Sequence, residues 1–161
     1  GHVDTGEPIP DALYERMRAA KNFQSAMQMV RQLEFAIFDF RLHLEYDPAR
    51  GGRVYEILDQ VRDQVAVLKP PAFNRFAHGF SHIFSGGYAA GYYSYKWAEV
   101  LSADAFSLFE EKGVLDTDTG RAFRQSILER GGSAEAMDLY VEFRGREPSI
   151  DALLRQTGIA A

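Results

Sequence analysis

The stretch FQSAMQMVRQLEFAIFDFRLHL, residues 23–44, carries the clearest periodic pattern in the chain. Its apolar positions recur at alternating spacings of three and four, as they do along one face of an α-helix; they are Phe23, Ala26, Val30, Leu33, Ile37, Phe40 and Leu44. A second apolar stripe consists of Phe35, Phe38 and Leu42. Because a helix that is apolar on two faces is usually covered on both, the pattern predicts a central, buried helix.

Helical signals also flank this stretch on both sides. Residues 47–52, DPARGG, end the central helix, since proline interrupts the hydrogen-bond ladder and paired glycines disfavour a helix. Other helices are predicted to begin at or near Asp11, Val54, Ala89 or Tyr92, Thr117, Ser133 and Ile150. Strand patterns are almost absent. The sequence therefore predicts an all-α fold, with residues 1–161 in a single multi-helical domain.

Charge and composition exclude several classes of protein. The formal net charge is −5, and basic residues are interspersed with acidic ones, so no positive patch for nucleic acid is predicted. No apolar run approaches the roughly 20 residues that span a membrane. The chain has no cysteine, which excludes thiolate metal sites and agrees with a location in the cytoplasm. Gly1–Pro10 is rich in turn residues and lacks a methionine, so we expect the chain to begin within a longer protein.

Residues 73–91 have no clean helical or strand period, and chemistry-bearing residues are concentrated here. Gly86 and Gly87 indicate either a tight turn or a backbone that approaches a ligand closely. Tyr88, Tyr92 and Tyr95 have helical spacing and would share one face. That face is either a core stripe or the wall of a cleft, because every buried hydroxyl needs a hydrogen-bond partner.

The histidines of this region, His78 and His82, are four residues apart, like the two zinc ligands of an H-E-x-x-H helix. Gly79 occupies the position of the catalytic glutamate, and the sequence indicates no third ligand. We therefore predict no metal site here and a hydrogen-bonded, structural His78.

Carboxylates on apolar faces are further candidates for acid–base chemistry. They could pair with one another, but such groups more commonly cap helices or bind arginines, here for example Arg31 and Arg41. The sequence alone gives them no catalytic role; the four are Glu34, Asp39, Glu99 and Asp104.

Residues 80–95, FSHIFSGGYAAGYYSY, followed by WAEV at residues 97–100, resemble the C-terminal signature of the thimet oligopeptidase family, closest to its bacterial members. The similarity covers essentially the whole chain. Further matching segments are residues 22–26 (NFQSA), 31–35 (RQLEF), 38–43 (FDFRLH), 130–133 (RGGS) and 143–148 (FRGREP).

The resemblance implies a fold and an activity. Members of that family are soluble, mainly helical zinc metallopeptidases that cut short peptides inside a deep channel. Their zinc is held by H-E-x-x-H and a downstream glutamate, which lie N-terminal to the region matched here. The resemblance thus implies a C-terminal fragment of a zincin-like catalytic domain, without zinc of its own and inactive alone. Its implied partners are oligopeptide substrates and the N-terminal part of the same enzyme; the oligomeric state stays open.

The same resemblance implies roles for individual residues. His82 and Tyr95 resemble the residues that donate hydrogen bonds to the developing oxyanion, a task that suits an imidazole N–H and a phenol. Tyr88 and Tyr92 resemble tyrosines that contact the substrate. The Gly86–Gly87 pair would belong to a flexible loop that lets Tyr88 swing onto the peptide.

Two other functions are compatible with these residues. One is a non-catalytic helical module that uses the tyrosine face to bind peptides or a partner helix. The other is a structural helical domain in which the tyrosines belong to the core. Burial of all three tyrosine hydroxyls away from any groove would favour the structural domain.

Overall fold

The computed structural model describes residues 1–160 as helices joined by turns, with no β-strand in that range. The prediction of an all-α, multi-helical fold is therefore confirmed. The α-helices are α1 (Asp11–Lys21), α2 (Ser25–Leu44), α3 (Val54–Val65), the single turn α4 (Ser81–Phe84), α5 (Ser94–Lys112), α6 (Thr117–Phe123), α7 (Ala136–Arg144) and α8 (Asp151–Gln156). Short 3-10 helices lie at Pro48–Arg50 and Phe76–Gly79, and a π-helical turn, Arg124–Leu128, continues α6. Within these residues, no helix combines the length and apolarity that crossing a bilayer requires.

Helices α2 and α3 pack against each other and form the first part of the core. The segment between α3 and α5 covers them, so that one cluster holds Phe35, Ala36, Phe38, Ile57, Leu58, Val61, Ala77, Phe80, Ile83 and Tyr92. An ion pair crosses the same interface, where Arg62 Nε donates to Glu34 Oε1 at 2.9 Å. Since full burial of a Phe or Leu side chain contributes about 1.5–3 kcal/mol, this cluster is a main source of stability.

The C-terminal half is organised around α5. Val100 and Ala103 of α5 pack on Ala152 and Leu153 of α8, and Met29 of α2 packs against the same cluster. Another side of α5 meets α6 and α7 in a cluster formed by Ala105, Tyr140 and Phe143, with Phe109 and Phe123 at its edge. Helix α2 therefore connects the two halves of the core.

Asp104 ties three parts of this half together. It is 1% exposed, and its carboxylate accepts hydrogen bonds from Arg146 Nη2 at 2.6 Å, the Tyr140 hydroxyl at 2.6 Å and Ser149 N–H at 3.2 Å. Burial by itself would raise the pKa of this carboxyl, but the hydrogen bonds from Arg146, Tyr140 and Ser149 outweigh it and lower the pKa to about 2. The charged carboxylate thus holds α5 to α7 and to the loop before α8.

The outward face of α2 differs from the expectation of a helix covered on both sides. Leu33, Phe40 and Leu44 are 41%, 49% and 73% exposed, although Phe40 has an edge-on contact with the Tyr93 ring at 6.3 Å. The prediction of a covered helix is wrong for this face. Within residues 1–160, the packing neighbours of α2 contact the stripe that contains Phe35 and Phe38.

Candidate functional site

A glycine turn places Tyr88 beside His82. The single turn α4 is anchored by buried Ile83 and leaves His82 exposed. Gly86 passes so close to α4 that a Cβ atom there would lie 2.9 Å from the His82 carbonyl oxygen. Gly87 has a φ of +80°, which glycine adopts readily. The chain therefore reverses, and Tyr88 N–H donates to the His82 carbonyl at 3.0 Å.

The segment after Tyr88 is held by a buried carboxylate from α2. Asp39 Oδ1 accepts from Ala90 N–H at 3.0 Å, and Oδ2 accepts from Tyr92 N–H at 2.9 Å. Ala90 has a φ of +55°, which an α-helix cannot include. Helix α5 consequently begins at Ser94, later than the spacing of the tyrosines predicts.

Four side chains meet at this point, and we call them the tyrosine–histidine cluster: His82, Tyr88, Tyr92 and Tyr95. The ring centroids of Tyr88 and Tyr95 are 5.0 Å apart, and those of Tyr92 and Tyr95 are 5.2 Å apart. The His82 ring lies 5.8 Å from Tyr92 and 6.2 Å from both Tyr88 and Tyr95. The structure thus brings together the four side chains that the sequence singled out, with Tyr88 reaching them from a loop.

The cluster has a buried base and an exposed rim. Tyr92 is 9% exposed, and its hydroxyl donates to Gln32 Oε1 at 2.9 Å. Tyr88 and Tyr95 are 37% and 39% exposed, and His82 is exposed as well. The interpretation of the tyrosines as a core stripe therefore applies to Tyr92, whereas the other two phenols reach the surface.

The phenols of Tyr92 and Tyr95 stay protonated at neutral pH. The adjacent phenol of Tyr88 raises the pKa of the Tyr95 hydroxyl, and desolvation raises it further. Burial raises the pKa of Tyr92, with a smaller opposing effect from Arg31. A protonated phenol donates a hydrogen bond, so Tyr95 offers an O–H donor at the rim beside the imidazole of His82.

His78 belongs to a different local structure. It lies in the 3-10 helix, and its Nδ1 atom is 2.6 Å from the Tyr55 hydroxyl oxygen, as predicted for a structural histidine. Phe80 interrupts the helical backbone between His78 and His82. Across residues 1–160, no group of three or more His, Asp or Glu side chains is placed to hold a metal ion.

The carboxylates considered for acid–base chemistry each have a partner other than a second carboxylate. Those partners are Arg62 for Glu34, two backbone N–H groups for Asp39, Lys96 for Glu99 and Arg146 for Asp104. None of these arginines is one that the sequence suggested. The geometry thus gives the four carboxylates structural contacts in the described part of the chain.

Two residues that complete the site received no role from the sequence. The carboxylate of Asp39 on an apolar face was a signal, but its partners are 51 and 53 residues away. Gln32, which accepts from the Tyr92 hydroxyl, gave no signal because a glutamine on a helix surface is common.

Several cavities lie away from the cluster, and two of them differ clearly in the character of their lining. A polar cavity of about 470 Å³ is lined in part by Arg144 and Arg155, and an apolar one of about 510 Å³ is lined in part by Leu101, Phe106 and Phe109. The rim of the cluster, formed by His82, Tyr88 and Tyr95, lies on the surface.

Comparison with known proteins defines the class of this chain. The profile of peptidase family M3 matches residues 1–159. The chain belongs to peptidase family M3, which confirms the resemblance found in the sequence.

Individual relatives share this region of sequence. The chain is 57% identical over 159 residues to oligopeptidase A of Escherichia coli, covering 99% of this chain and 23% of that protein. It is 48% identical over 164 residues to an organellar oligopeptidase A, chloroplastic/mitochondrial, of Arabidopsis thaliana, covering 99% of this chain and 21% of that protein. It is 39% identical over 159 residues to dipeptidyl carboxypeptidase of Salmonella typhimurium, covering 98% and 23%. The chain thus spans less than a quarter of the length of these relatives.

Proposed function

We propose that this chain is the C-terminal part of the catalytic domain of a cytoplasmic, zinc-dependent endopeptidase that hydrolyses oligopeptides. Membership of peptidase family M3 and similarity to proteins named oligopeptidase A support a peptidase. The observation that carries the proposal is the exposed pairing of the Tyr95 phenol with the His82 imidazole, 6.2 Å apart between ring centroids. The zinc would be bound by residues outside this chain, so the chain alone would be inactive.

The proposed role of His82 and Tyr95 is to stabilise negative charge. When a peptide carbonyl is attacked and becomes tetrahedral, charge develops on its oxygen. Donors placed for that charge stabilise the transition state more than the substrate, and therefore raise kcat. A phenol O–H and an imidazole N–H on neighbouring rings provide such donors.

Tyr88 and Tyr92 would bind the substrate in different ways. Tyr88 is exposed and follows Gly87 at a φ of +80°, so rotation at the glycines would move its phenol over a bound peptide. Tyr92 is buried and already donates to Gln32. A substrate contact by the Tyr92 hydroxyl requires that this hydrogen bond be exchanged.

Replacement of Tyr95 by phenylalanine in the full-length peptidase tests this function. The substitution keeps the ring and removes the O–H donor, so kcat should fall on the order of 10²–10³-fold. KM should change little, because the donor acts in the transition state. Steady-state kinetics on a short fluorogenic peptide measure both quantities.

Tyr93→Phe is the matched control, since the neighbouring Tyr93 ring contacts Phe40 of α2. This variant should keep the kcat of the wild type. Equal losses of turnover and peptide affinity in Tyr95→Phe would contradict a transition-state role. A full-length protein that binds peptides without cleaving them would favour the non-catalytic binding module.

A further inference from the structure

Asp39 presents a charged side chain to the interior from the inner face of α2. It is 1% exposed, and a buried carboxylate is costly unless hydrogen bonds satisfy its oxygens. Its donors are the N–H groups of Ala90 and Tyr92, and His43 Nδ1 lies 3.0 Å from Oδ1. The main partner of this charge is therefore the backbone of the segment that leads into α5.

These hydrogen bonds determine the conformation of that segment. Ala90 has a φ of +55°, a conformation that alanine adopts rarely and that persists when its surroundings hold it. Hydrogen bonds to a charged acceptor are stronger than those between neutral groups. Gly91 N–H also donates to the Tyr88 carbonyl at 2.8 Å, which closes the turn. Asp39 thus stabilises the positive φ of Ala90, which alanine adopts less readily than glycine.

The segment that Asp39 holds lies next to the proposed hydrogen-bond donors, Tyr95 and His82. The Tyr92 ring forms the base on which Tyr95 packs at 5.2 Å and against which the His82 ring stands edge-on at 5.8 Å. A shift of the Tyr92 backbone would therefore displace Tyr95 relative to His82. Tyr88 lies on the other side of Ala90, next to the glycine turn, and its ring is free of this anchor.

We propose that Asp39 is a positioning residue: it fixes the backbone of Ala90 and Tyr92 so that Tyr95 and His82 keep their relative placement while Tyr88 can move. The inference rests on the proposed function, because it assigns Asp39 a part in the same site. Asp39 acts through the cluster and has no contact with substrate in this proposal.

Asp39→Asn in the full-length peptidase is the first test. Asparagine has the same shape, but its Nδ2 atom cannot accept a hydrogen bond, so one of the two backbone N–H groups loses its partner. We expect kcat to fall by on the order of 10–100-fold, as for a misplaced catalytic group, with KM nearly unchanged. Asp104→Asn is the matched control, because Asp104 is also 1% exposed and also accepts from a backbone N–H group. It should lower the unfolding temperature and leave the kcat of the folded enzyme unchanged.

A double-mutant cycle with Tyr95→Phe then shows whether Asp39 acts through Tyr95. In the Asp39→Asn background, Tyr95→Phe should reduce kcat by a smaller factor than in the wild type, because the phenol is already displaced. In the Asp104→Asn background its factor should be that of the wild type. Wild-type kcat in Asp39→Asn, or independent factors in the cycle, would overturn the proposal.

Substitutions of Ala90 test the same role of the backbone conformation if Asp39→Asn does not fold. Valine resists a φ of +55°, whereas glycine accepts it. Ala90→Val should therefore lower kcat as Asp39→Asn does, and Ala90→Gly should retain it. Equal activity of the two variants would overturn the proposal.

Amide hydrogen exchange separates this proposal from the function on which it rests. If Tyr95→Phe alone kept wild-type turnover, the proposed role of Tyr95 would be wrong. The role of Asp39 in holding the backbone would then be tested by amide exchange at residues 88–95. Exchange there should be faster in Asp39→Asn, while exchange in α7 should be unchanged. Exchange equal to that of the wild type would show that Asp39 does not hold this segment.

Discussion

At the residue scale, Gly86 and Gly87 shape the turn for different physical reasons. A Cβ atom on Gly86 would lie 2.9 Å from the His82 carbonyl oxygen and 3.2 Å from that of Ser81, and backbone atoms cannot rotate away from it. A Cβ atom on Gly87 would meet open space, but the φ of +80° is strained for any other residue. The first glycine is required by close packing and the second by backbone conformation.

Alanine substitutions separate these two requirements. Gly86→Ala should displace His82 and lower kcat of the full-length peptidase, because the backbone of α4 must shift. Gly87→Ala should lower the stability of the turn by about 1–2 kcal/mol with a smaller effect on kcat. Gly79→Ala is the control, since its Cβ atom would meet nothing within 4 Å. Kinetics and thermal unfolding measure the effects; identical behaviour of Gly86→Ala and Gly79→Ala would contradict the steric argument.

At the element scale, a buried ion pair joins α2 and α3 inside an apolar interface. The side chains of Arg62 and Glu34 are each 9% exposed, and the Arg62 guanidinium lies 5.9 Å from the centre of the Phe76 ring. Loss of one partner leaves the other charge buried without a counter-charge. Loss of both partners leaves no buried charge that needs one.

A single substitution in this ion pair should therefore destabilise the protein more than the substitution of both partners. Arg62→Met should reduce the free energy of unfolding by about 3–5 kcal/mol, and Glu34→Leu combined with Arg62→Met should recover most of that loss. Urea denaturation measures both variants. Arg121→Met at the exposed pair with Asp118 should change stability by at most about 1 kcal/mol. A double variant as unstable as Arg62→Met would contradict this account.

At the scale of the whole molecule, Asp104 connects helices that are distant in the chain. Its hydrogen-bond partners Tyr140, Arg146 and Ser149 are 36, 42 and 45 residues away. They favour the charged carboxylate and lower its pKa to about 2 from an ordinary 3.8, despite burial. A carboxyl whose pKa is lowered by folding stabilises the protein at pH values above its ordinary pKa. This stabilisation is lost as the pH falls toward the lowered pKa.

Stability should accordingly decrease as the pH falls from about 4 to about 2. The difference in the pKa of Asp104 between folded and unfolded chains corresponds to about 2 kcal/mol at neutral pH. Asp104→Asn should remove this part of the pH dependence and reduce stability at neutral pH, as measured by urea denaturation across the acidic range. Asp118→Asn, at an exposed pair, is the control. An unchanged acid dependence in Asp104→Asn would show that other groups control it.

The candidate site was predictable in its side chains and less so in its geometry. The motif from Phe80 to Tyr95 supplies the residue types, and the family resemblance supplies their expected roles. The helical spacing of the tyrosines was misleading for Tyr88, because Ala90 adopts a positive φ before α5 begins. A left-handed alanine cannot be inferred from local propensity, since a distant carboxylate stabilises it.

What the sequence determined by itself were the longer helices, most of the breaks between them and the residue types of the cluster. Apolar periodicity, proline and glycine act over a few residues, so their effects are visible in the linear order. Only the tertiary structure decided that Asp39 binds Ala90 and Tyr92, that Tyr88 folds back onto His82 and that one face of α2 stays exposed. These features depend on hydrogen bonds and packing between residues far apart in the chain, and such contacts exist once the helices have assembled.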